Sequence, residues 1–469
     1  MKPAFHLGVT RPLDGRAEIS TLQLPAHHLV THCVAVGMTG SGKTGLVTVM
    51  IEEAARNQVP VLVIDVKGDL PNLLLQFASF SPEVLVPWVE GATQDEDTAA
   101  YAARLAAERR EGLASYGIGE QELVDFAANT HVRVITPGAD AGELLHVLSS
   151  LERRSARWDT DRDGARAALS AAISLVLRLL GRDPDPAKSR EHVLLALLAE
   201  KRLTEGHSAE LGALLEDVLQ PPIERVGALE VDAFLPKKAR KDLAAALNTL
   251  LASPSFASWR QGETLDVGEW MKPVESGGVG ADVKSKTPIT VVSVAHLDDD
   301  ERALVLGLVL EEVLTWVRGL SGSQRLRALV VFDEVYGFLP PHPANPPTKR
   351  PLVALMKQAR AFGVGVVIAT QNPMDLDYRS LSNAGLWCLG RLQTDADRER
   401  VLDGIVNQAH VGTSIEELDQ LLKHLKPRWF VTRNAHANAT ALLQPRWAMT
   451  FMRGPMTRVE IKRAREAQR

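Results

Sequence analysis

The sequence is short of cysteine and of long apolar runs, and each shortage excludes a class of protein. Its 2 cysteines, Cys33 and Cys388, both lie in apolar, strand-like runs. We predict that both are buried, reduced thiols, which indicates a cytoplasmic protein. No apolar run approaches the length that spans a bilayer, and the N-terminus lacks a basic-then-apolar signal pattern. Neither a membrane protein nor a secreted protein is therefore expected.

Positive charge is not in excess either. Lysine and arginine total 53 against 58 aspartates and glutamates, a formal net charge of -5. A nucleic-acid binder that coats itself in positive charge is therefore not expected, although a local basic surface, such as the lining of a ring, is compatible with this balance. With 469 residues, 45% of them hydrophobic, the chain has room for two or three domains and a sizeable core.

A glycine-rich loop stands between an apolar run and a helical pattern. Glycines 37, 40 and 42 let the backbone turn tightly, so that its N–H groups converge on an anion. The following helix adds the positive end of its dipole, Lys43 can reach the β- and γ-phosphates, and the Thr44 hydroxyl can hold Mg²⁺. We predict a site for ATP and Mg²⁺ formed by Gly37, Met38, Thr39, Gly40, Ser41, Gly42, Lys43 and Thr44.

Polar residues follow two further apolar runs. The run 328–332 is followed by Asp333 and Glu334. Beside a phosphate-binding loop, Asp333 would hold Mg²⁺ through water and Glu334 would polarise the attacking water as a general base. Gln371 follows the predicted strand 364–370, where a glutamine can hydrogen-bond the γ-phosphate or its water. As a polar loop residue it would need no such role.

Two other positions have alternative interpretations. Asp69 ends the sequence Asp65-Val-Lys-Gly-Asp69, where ligands bind in open α/β sheets. It would either add a carboxylate near the metal or cap a turn. Arg391 follows the apolar run 386–390. An exposed arginine usually only solvates a surface, but at the end of a core strand it can reach a phosphate in its own subunit or in the next one.

The periodicity of apolar residues predicts the organisation of the chain. Strands are predicted at 61–65, 131–136, 289–294, 328–333, 364–370, 386–391 and 429–432, and they alternate with helices. This alternation predicts an α/β fold with a mostly parallel sheet. We divide the chain into a short extended segment (1–31), the first part of the core (32–149), a mainly helical insertion (150–285), the second part of the core (286–435), and a C-terminal segment with a charged tail (436–469).

Five motifs together resemble the HerA/FtsK superfamily. They are Gly37-x-Thr-Gly-Ser-Gly-Lys-Thr44, Asp65-x-Lys-Gly-Asp69, Phe332-Asp-Glu334, Ala369-Thr-Gln-Asn-Pro373 and Gly390-Arg-Leu392, in the family's order. These proteins are RecA-like ring motors that pump double-stranded DNA or other polymers through a central channel. The resemblance covers roughly residues 30–80 and 285–435, and it implies a RecA-like core.

The resemblance also implies roles for individual residues. By this resemblance, Lys43 would bind phosphate, Thr44 and Asp333 would bind the metal, and Glu334 would activate the attacking water. Gln371 would sense the γ-phosphate, and Arg391 would be the arginine finger, with Arg360 in reserve. Two features depart from the family. HerA-type proteins usually carry an N-terminal β-barrel, which about thirty residues cannot form, and the helical insertion is larger than expected.

The expected function is Mg²⁺-dependent ATP hydrolysis by a homo-oligomeric ring, expected to be a hexamer. The expected polymer is double-stranded DNA, with a nuclease or other effector as a further partner in DNA processing or phage defence. Two alternatives remain open: a P-loop switch or scaffold that gates a partner protein, and a conjugation or secretion motor. Stimulation of the ATPase by DNA separates the first function from the others.

Overall fold

A computed structural model of the protein describes residues 3–13, 19–89, 97–152, 154, 157–276, 284–377, 381, 384–406 and 415–468. The strands are β1 (Ala4–Arg11), β2 (Ser20–Pro25), β3 (Cys33–Val36), β4 (Val61–Asp65), β5 (Thr130–Ile135), β6 (Leu145–His146), β7 (Arg225–Val226), β8 (Leu229–Glu230), β9 (Glu263–Thr264), β10 (Val274–Ser276), β11 (Lys284–Ser293), β12 (Ser323–Asp333), β13 (Phe362–Thr370), β14 (Leu386–Leu389), β15 (Phe430–Asn434) and β16 (Ala439–Pro445).

The helices of these residues are α1 (Lys43–Arg56), α2 (Val86–Val89), α3 (Thr98–Ala114), α4 (Glu120–Asn129), α5 (Ser149–Glu152), α6 (Arg157–Thr160), α7 (Arg162–Leu179), α8 (Arg190–Thr204), α9 (Leu211–Leu219), α10 (Val231–Phe234), α11 (Lys237–Ala252), α12 (Ala257–Arg260), α13 (Val267–Trp270), α14 (Asp299–Gly319), α15 (Lys349–Gln358), α16 (Asp395–Val406), α17 (Ile415–His424) and α18 (Arg458–Ala467). Short 3₁₀ turns connect several of them, such as Ala26–Thr31 and Leu70–Leu74. None of the described helices is long and apolar enough to cross a membrane.

One large sheet organises the molecule. Its strand order is β10-β11-β4-β12-β13-β3-β14-β15-β16-β1-β2, and β5 also pairs with β11. The strands from β5 through β11, β4, β12, β13 and β3 to β14 run parallel. Their continuous apolar runs are buried because helices cover both faces of a parallel sheet. The predicted α/β fold with a mostly parallel, RecA-like sheet is confirmed.

Two hydrophobic cores lie on opposite faces of this sheet, because successive side chains of a strand alternate in direction. On β4, Leu62 and Ile64 belong to one core, whereas Val61 and Val63 belong to the other. The first core contains the apolar faces of α7, α8 and α14. The second contains the apolar face of α1. Helices α7, α8 and α14 therefore pack on the sheet face opposite α1.

The two ends of the chain meet in an antiparallel extension of the sheet. Beyond β14 the sheet continues through β15, β16, β1 and β2, each antiparallel to its neighbour. The N-terminal strands β1 and β2 thus join the main sheet, because β1 pairs with the C-terminal strand β16. Cys33 and Cys388 lie on the adjacent strands β3 and β14, and both are buried and unpaired, as predicted. The division of the chain into five segments remains a prediction.

Candidate nucleotide site

The sequence motifs lie together at one edge of the sheet. The parallel strands β3, β4, β12 and β13 all end there, and their pairing places Asp333 beside Asp65 and Thr370 beside Val36. Val36 is the last strand residue before the glycine-rich loop. The loop, the acidic pair and Gln371 therefore share the carboxyl edge, where open α/β sheets bind ligands.

The glycine-rich loop has the backbone that an anion cradle requires. Gly40 and Gly42 have φ angles of 77° and 93°, which only glycine adopts readily. A side chain at Gly37 would place its Cβ 2.6 Å from the Ser41 hydroxyl oxygen. The N–H of Gly37 donates to the Thr370 carbonyl at 3.2 Å, and that of Met38 to the Arg391 carbonyl at 3.0 Å. The loop is thus fixed to the ends of β13 and β14.

Lys43, the first residue of α1, carries a buried charge in this loop. Its residue is 4% exposed, and within the described part of the chain no hydrogen bond or ion pair of its ammonium is found. Burial lowers the pKa of Lys43, while the nearby carboxylates of Glu334 and Asp333 act in the opposite direction. A desolvated ammonium without a contact partner is suited to receive the phosphates of a ligand.

Asp333 is the matching negative charge. It is 3% exposed, and burial raises its pKa to about 7. The nearby charge of Lys43 lowers this pKa, whereas the carboxylates of Asp65 and Glu334 raise it. A divalent cation would favour the ionised form. Among the described residues, no group of three or more His, Cys, Asp or Glu side chains could hold a metal. Mg²⁺ does not require such a group, because it commonly takes one or two carboxylates, waters and substrate phosphates. The Asp333 carboxylate and the Thr44 hydroxyl fit that donor set.

Glu334 is held by contacts from three directions. Its backbone has a φ of 64°, an uncommon conformation for a residue with a side chain and one that clusters at functional sites. One carboxylate oxygen accepts from the Thr370 hydroxyl at 3.1 Å and from the Gln371 N–H at 3.0 Å. The other accepts from Lys67 Nζ at 2.6 Å. The carboxylate therefore has a fixed orientation and retains acceptor capacity for a water molecule.

Sequence reasoning assigned no role to Lys67, although it lies inside the quoted motif Asp65-x-Lys-Gly-Asp69. The structure shows that Asp65 closes the turn, since it accepts the Gly68 N–H at 3.0 Å and the Ser293 hydroxyl at 2.7 Å. Asp69 makes no side-chain cap at the next turn. Its pKa is raised by burial and lowered by Lys67 and Lys43. Asp69 thus adds negative charge near Lys67 and Lys43, and a role for it beside a metal stays a prediction.

Gln371 and the two arginines have different positions. The Thr39 hydroxyl donates to Gln371 Oε1 at 2.7 Å, which links the loop to the end of β13. The exposed side chain of Arg391 begins beside the loop of its own chain, since its carbonyl accepts the Met38 N–H. Arg360 lies at the opposite edge of the sheet. It precedes β13, whose 9 residues rise about 3.3 Å each. The length of this strand separates Arg360 from the edge with the glycine-rich loop, so Arg360 is too distant to contact a nucleotide in its own chain.

Comparisons with known proteins agree with this geometry. Residues 11–123 match the family model described as "Helicase HerA, central domain". VirB4 of Thermoanaerobacter pseudethanolicus is similar in structure, with a TM-score of 0.53 and 13% identity, over 95% of this chain and 96% of that one. The bacterial conjugative coupling protein TrwBdeltaN70 gives 0.52 and 13%, over 97% and 92%.

A further structure, plasmid coupling protein TrwB in complex with ADP and Mg²⁺, gives a TM-score of 0.51 at 14% identity, over 92% of this chain and 89% of that one. No curated protein sequence matches the chain. At these identities the structural likeness establishes the fold. The matched segment, residues 11–123, agrees with the resemblance to the HerA/FtsK superfamily that the five motifs indicated.

Proposed function

We propose that this chain, a P-loop protein of the HerA/FtsK type, is a cytoplasmic Mg²⁺-dependent ATPase that assembles into a ring and translocates double-stranded DNA. The observation that carries the ATPase proposal is the meeting of Lys43 and the pair Asp333–Glu334 at one edge of the sheet. A buried cation and two buried carboxylates share this small volume. Triphosphate, metal and attacking water would each have a partner there.

Each residue has a distinct task in this proposal. The loop N–H groups and Lys43 bind the phosphates, and Glu334 accepts the proton of the attacking water. Mg²⁺, held by Thr44 and Asp333, would neutralise charge that develops on the phosphates. Gln371 would sense the γ-phosphate, because its hydrogen bond to Thr39 already connects it to the loop.

Arg391 is the proposed arginine finger, acting on the ATP of a neighbouring subunit. Its exposed side chain is available at the subunit surface, and a finger supplied in trans contributes about 10³-fold or more in rate. The test mixes Arg391→Ala protein with Lys43→Ala protein, each inactive alone. Mixed rings contain some interfaces with both residues intact, so activity should partly return.

Light scattering verifies that the rings form and exchange subunits. If mixed rings form and stay inactive, Arg391 acts within its own chain, which its backbone contact with the loop permits, or does not act. Arg360, at the opposite edge of the sheet, would then be tested in the same way.

The DNA proposal is tested by measuring ATP hydrolysis with and without double-stranded DNA. A motor that holds the DNA backbone should be stimulated by any sequence, and stimulation should fall steeply between low and moderate salt. The Lys43→Ala variant is the control for contaminating ATPase. Stimulation by a protein but by no nucleic acid would instead indicate a secretion or conjugation motor. Slow hydrolysis with no polymer effect would indicate a switch or scaffold that gates an effector.

A further inference from the structure

We propose that a cavity between the C-terminal helix α18 and the edge strand β5 binds a small organic anion, and that this ligand acts on the nucleotide site through the helix. The action on the nucleotide site rests on the proposed function, whereas the binding itself does not. The cavity has a volume of about 400 Å³. Sites that enclose a small-molecule ligand measure roughly 300 to 1,000 Å³, so one ring system with an acidic group has room there.

The cavity lies apart from the glycine-rich loop. Strands β11, β4, β12 and β13 separate β5 from β3, the strand that leads into the loop. Neighbouring strands are about 4.8 Å apart, so the five steps from β5 to β3 span roughly 24 Å. Of the described residues that line the cavity, none belongs to the loop, and none is Asp333, Glu334 or Gln371. A ligand in this cavity would therefore be a second ligand and not a part of the nucleotide.

Part of the lining is apolar and aromatic. Leu74, Phe77 and Trp88 contribute to it, and the ring centres of Phe77 and Trp88 are 6.5 Å apart. On α18, Ala467 and Gln468 also line the cavity and are exposed, so the cavity opens to solvent at the end of this helix. Apolar and aromatic walls with a few polar groups are typical of sites for organic ligands.

The rest of the lining carries positive charge that is not matched by negative charge. Of the described lining residues, Arg133, Lys286 and Arg465 are cationic and Glu143 alone is acidic. Glu143 already accepts from Arg133 Nε at 3.0 Å. Within the described part of the chain, Lys286 has no hydrogen bond or ion pair, and Arg465 donates only to backbone carbonyls. Both charges are thus available to an anion.

His131 indicates the same positive field. It lines the cavity between the cations. Burial lowers its pKa, the charges of Arg133 and Lys286 lower it further, and Glu143 acts in the opposite direction. A neutral imidazole still donates one hydrogen bond. The lining therefore suits a phosphate, sulfonate or carboxylate that is attached to an apolar ring.

The C-terminal helix connects this cavity with the nucleotide site. Just before the helix begins, the Met456 N–H donates to the Gly68 carbonyl at 2.9 Å. Gly68 follows Lys67, whose ammonium contacts the proposed general base. Just after the helix ends, Gln468 lines the cavity, and its side-chain amide donates to the Leu74 carbonyl at 2.9 Å.

A second element runs beside the helix between the same two places. The turn Leu70–Leu74 follows the motif that ends at Asp69, and the residues 74–77 that continue it line the cavity. The Asn72 side-chain amide donates to the Gly454 carbonyl at 2.7 Å, which joins this turn to the segment before the helix. A ligand that prefers one arrangement of these two elements shifts their equilibrium, and with it the position of Lys67.

The first experiment measures binding of three probes to the full chain by calorimetry. Naphthyl phosphate, naphthoate and the neutral naphthalenemethanol share one ring system and differ in their polar group. We expect at least one of the two anions to bind about tenfold more tightly than the alcohol, because the cavity supplies unpaired cations. The tighter anion identifies the ligand as an organic phosphate or a carboxylate. Equal affinity for all three probes would overturn the proposal.

Variants of two lining residues localise the binding. Lys286→Met should weaken the preferred anion about tenfold, whereas the matched control Lys286→Arg should stay within about twofold of wild type. Ala467→Phe narrows the cavity and should weaken all probes about fivefold or more, whereas Ala467→Ser should bind as wild type does. Thermal unfolding verifies that each variant is folded. Folded Lys286→Met and Ala467→Phe proteins that bind the anions with wild-type affinity would place the binding elsewhere and overturn the proposal.

The second experiment measures the affinity for AMP-PNP·Mg²⁺ and the rate of ATP hydrolysis with and without a saturating amount of the preferred anion. Coupled sites change each other's affinity by the same factor, and we expect a change of about fivefold or more that is absent in Lys286→Met. Lys43→Ala, which should lose nucleotide binding, should still bind the anion. Loss of the anion in Lys43→Ala would place it in the glycine-rich loop and overturn the proposal. Unchanged AMP-PNP affinity and ATPase rate would overturn the action on the nucleotide site.

Failure of the proposed function has a different signature. Wild-type protein that binds the anion in a Lys286-dependent manner but binds no AMP-PNP would overturn the ATPase proposal and support the cavity as a ligand site. Wild-type protein that binds AMP-PNP but none of the three probes would overturn this inference alone.

Discussion

The two ends of helix α1 both bury charge, but in different ways. At the first end, Lys43, Asp333 and Glu334 face one another, and Lys43 and Asp333 lack hydrogen-bond partners among the described residues. At the last turn, Glu52 and Glu53 are buried against Arg446, which is 1% exposed. Arg446 contacts Glu52 at 2.8 Å and Glu53 at 2.9 Å.

The partners of the second cluster are complete. Arg446 Nε also donates to the His6 carbonyl at 3.1 Å, and Glu53 accepts the His6 N–H at 2.8 Å. The cluster joins β1, α1 and the segment after β16, so its role is structural. The difference teaches that buried charge with every partner present is built into the fold and is costly to break, whereas buried charge that lacks partners is suited to receive a charged ligand.

The largest expected effect concerns the incomplete end. Glu334→Gln should lower kcat for ATP by about 10²- to 10⁴-fold while ATP·Mg²⁺ still binds, because the acid acts only when water attacks. Single-turnover hydrolysis and equilibrium binding measure the two quantities. Lys43→Ala is the contrasting variant and should lose nucleotide binding. Hydrolysis by Glu334→Gln at the wild-type rate would make this acid structural and remove the distinction between the two ends.

At the complete end the expected loss is in stability. Arg446→Met leaves two buried carboxylates without their cation, which should reduce the free energy of unfolding by about 3 to 5 kcal/mol. Urea denaturation measures this change. The triple variant that adds Glu52→Gln and Glu53→Gln should recover part of the loss, since the unpaired charges are then removed. Equal stability of the single and triple variants would show that lost packing, and not charge, causes the effect.

The sequence predicts one end of α1 and not the other, for a physical reason. The loop and the strand-end acids are local patterns, and parallel strands bring their carboxyl ends to one edge whatever the strand order. The Arg446 cluster joins residues 394 positions apart, and acids within a helix ordinarily indicate a solvated face. Lys67 escaped prediction similarly, because its partner is 267 positions away. The pairing of β1 with β16 also depends on tertiary contacts alone.

The third prediction uses pH to separate the two ends. The pKa of Asp333 is raised to about 7 by burial, against about 3.9 in an unfolded chain. Protonated Asp333 therefore contributes its full share to the free energy of unfolding below the pKa of the unfolded chain. This contribution is lost as the pH rises through the folded-state pKa of about 7. Without metal or nucleotide, Asp333→Asn should therefore be more stable than wild type at about pH 8, by on the order of 1 to 4 kcal/mol.

This gain in stability should shrink as the pH falls toward about 5, where wild-type Asp333 is neutral in the folded state. Urea denaturation in EDTA at both pH values measures it. The Arg446 cluster provides the comparison, because the effect of Arg446→Met should not follow the titration of Asp333. A gain for Asp333→Asn that is equal at both pH values would contradict the assigned titration.

The smallest expected effect belongs to Lys67, whose ammonium contacts the Glu334 carboxylate. The ion pair is 2.6 Å long, and the Lys67 side chain is 36% exposed. Exposed pairs contribute about 0 to 1 kcal/mol, and Glu334 keeps its contacts with Thr370 and Gln371. Lys67→Met should thus leave the melting temperature nearly unchanged and lower kcat by less than about tenfold. Lys67→Arg, which can still pair with Glu334, should lose less. An increase in kcat for Lys67→Met would show instead that the lysine restrains the general base, and the incomplete end of α1 would then be a gated site.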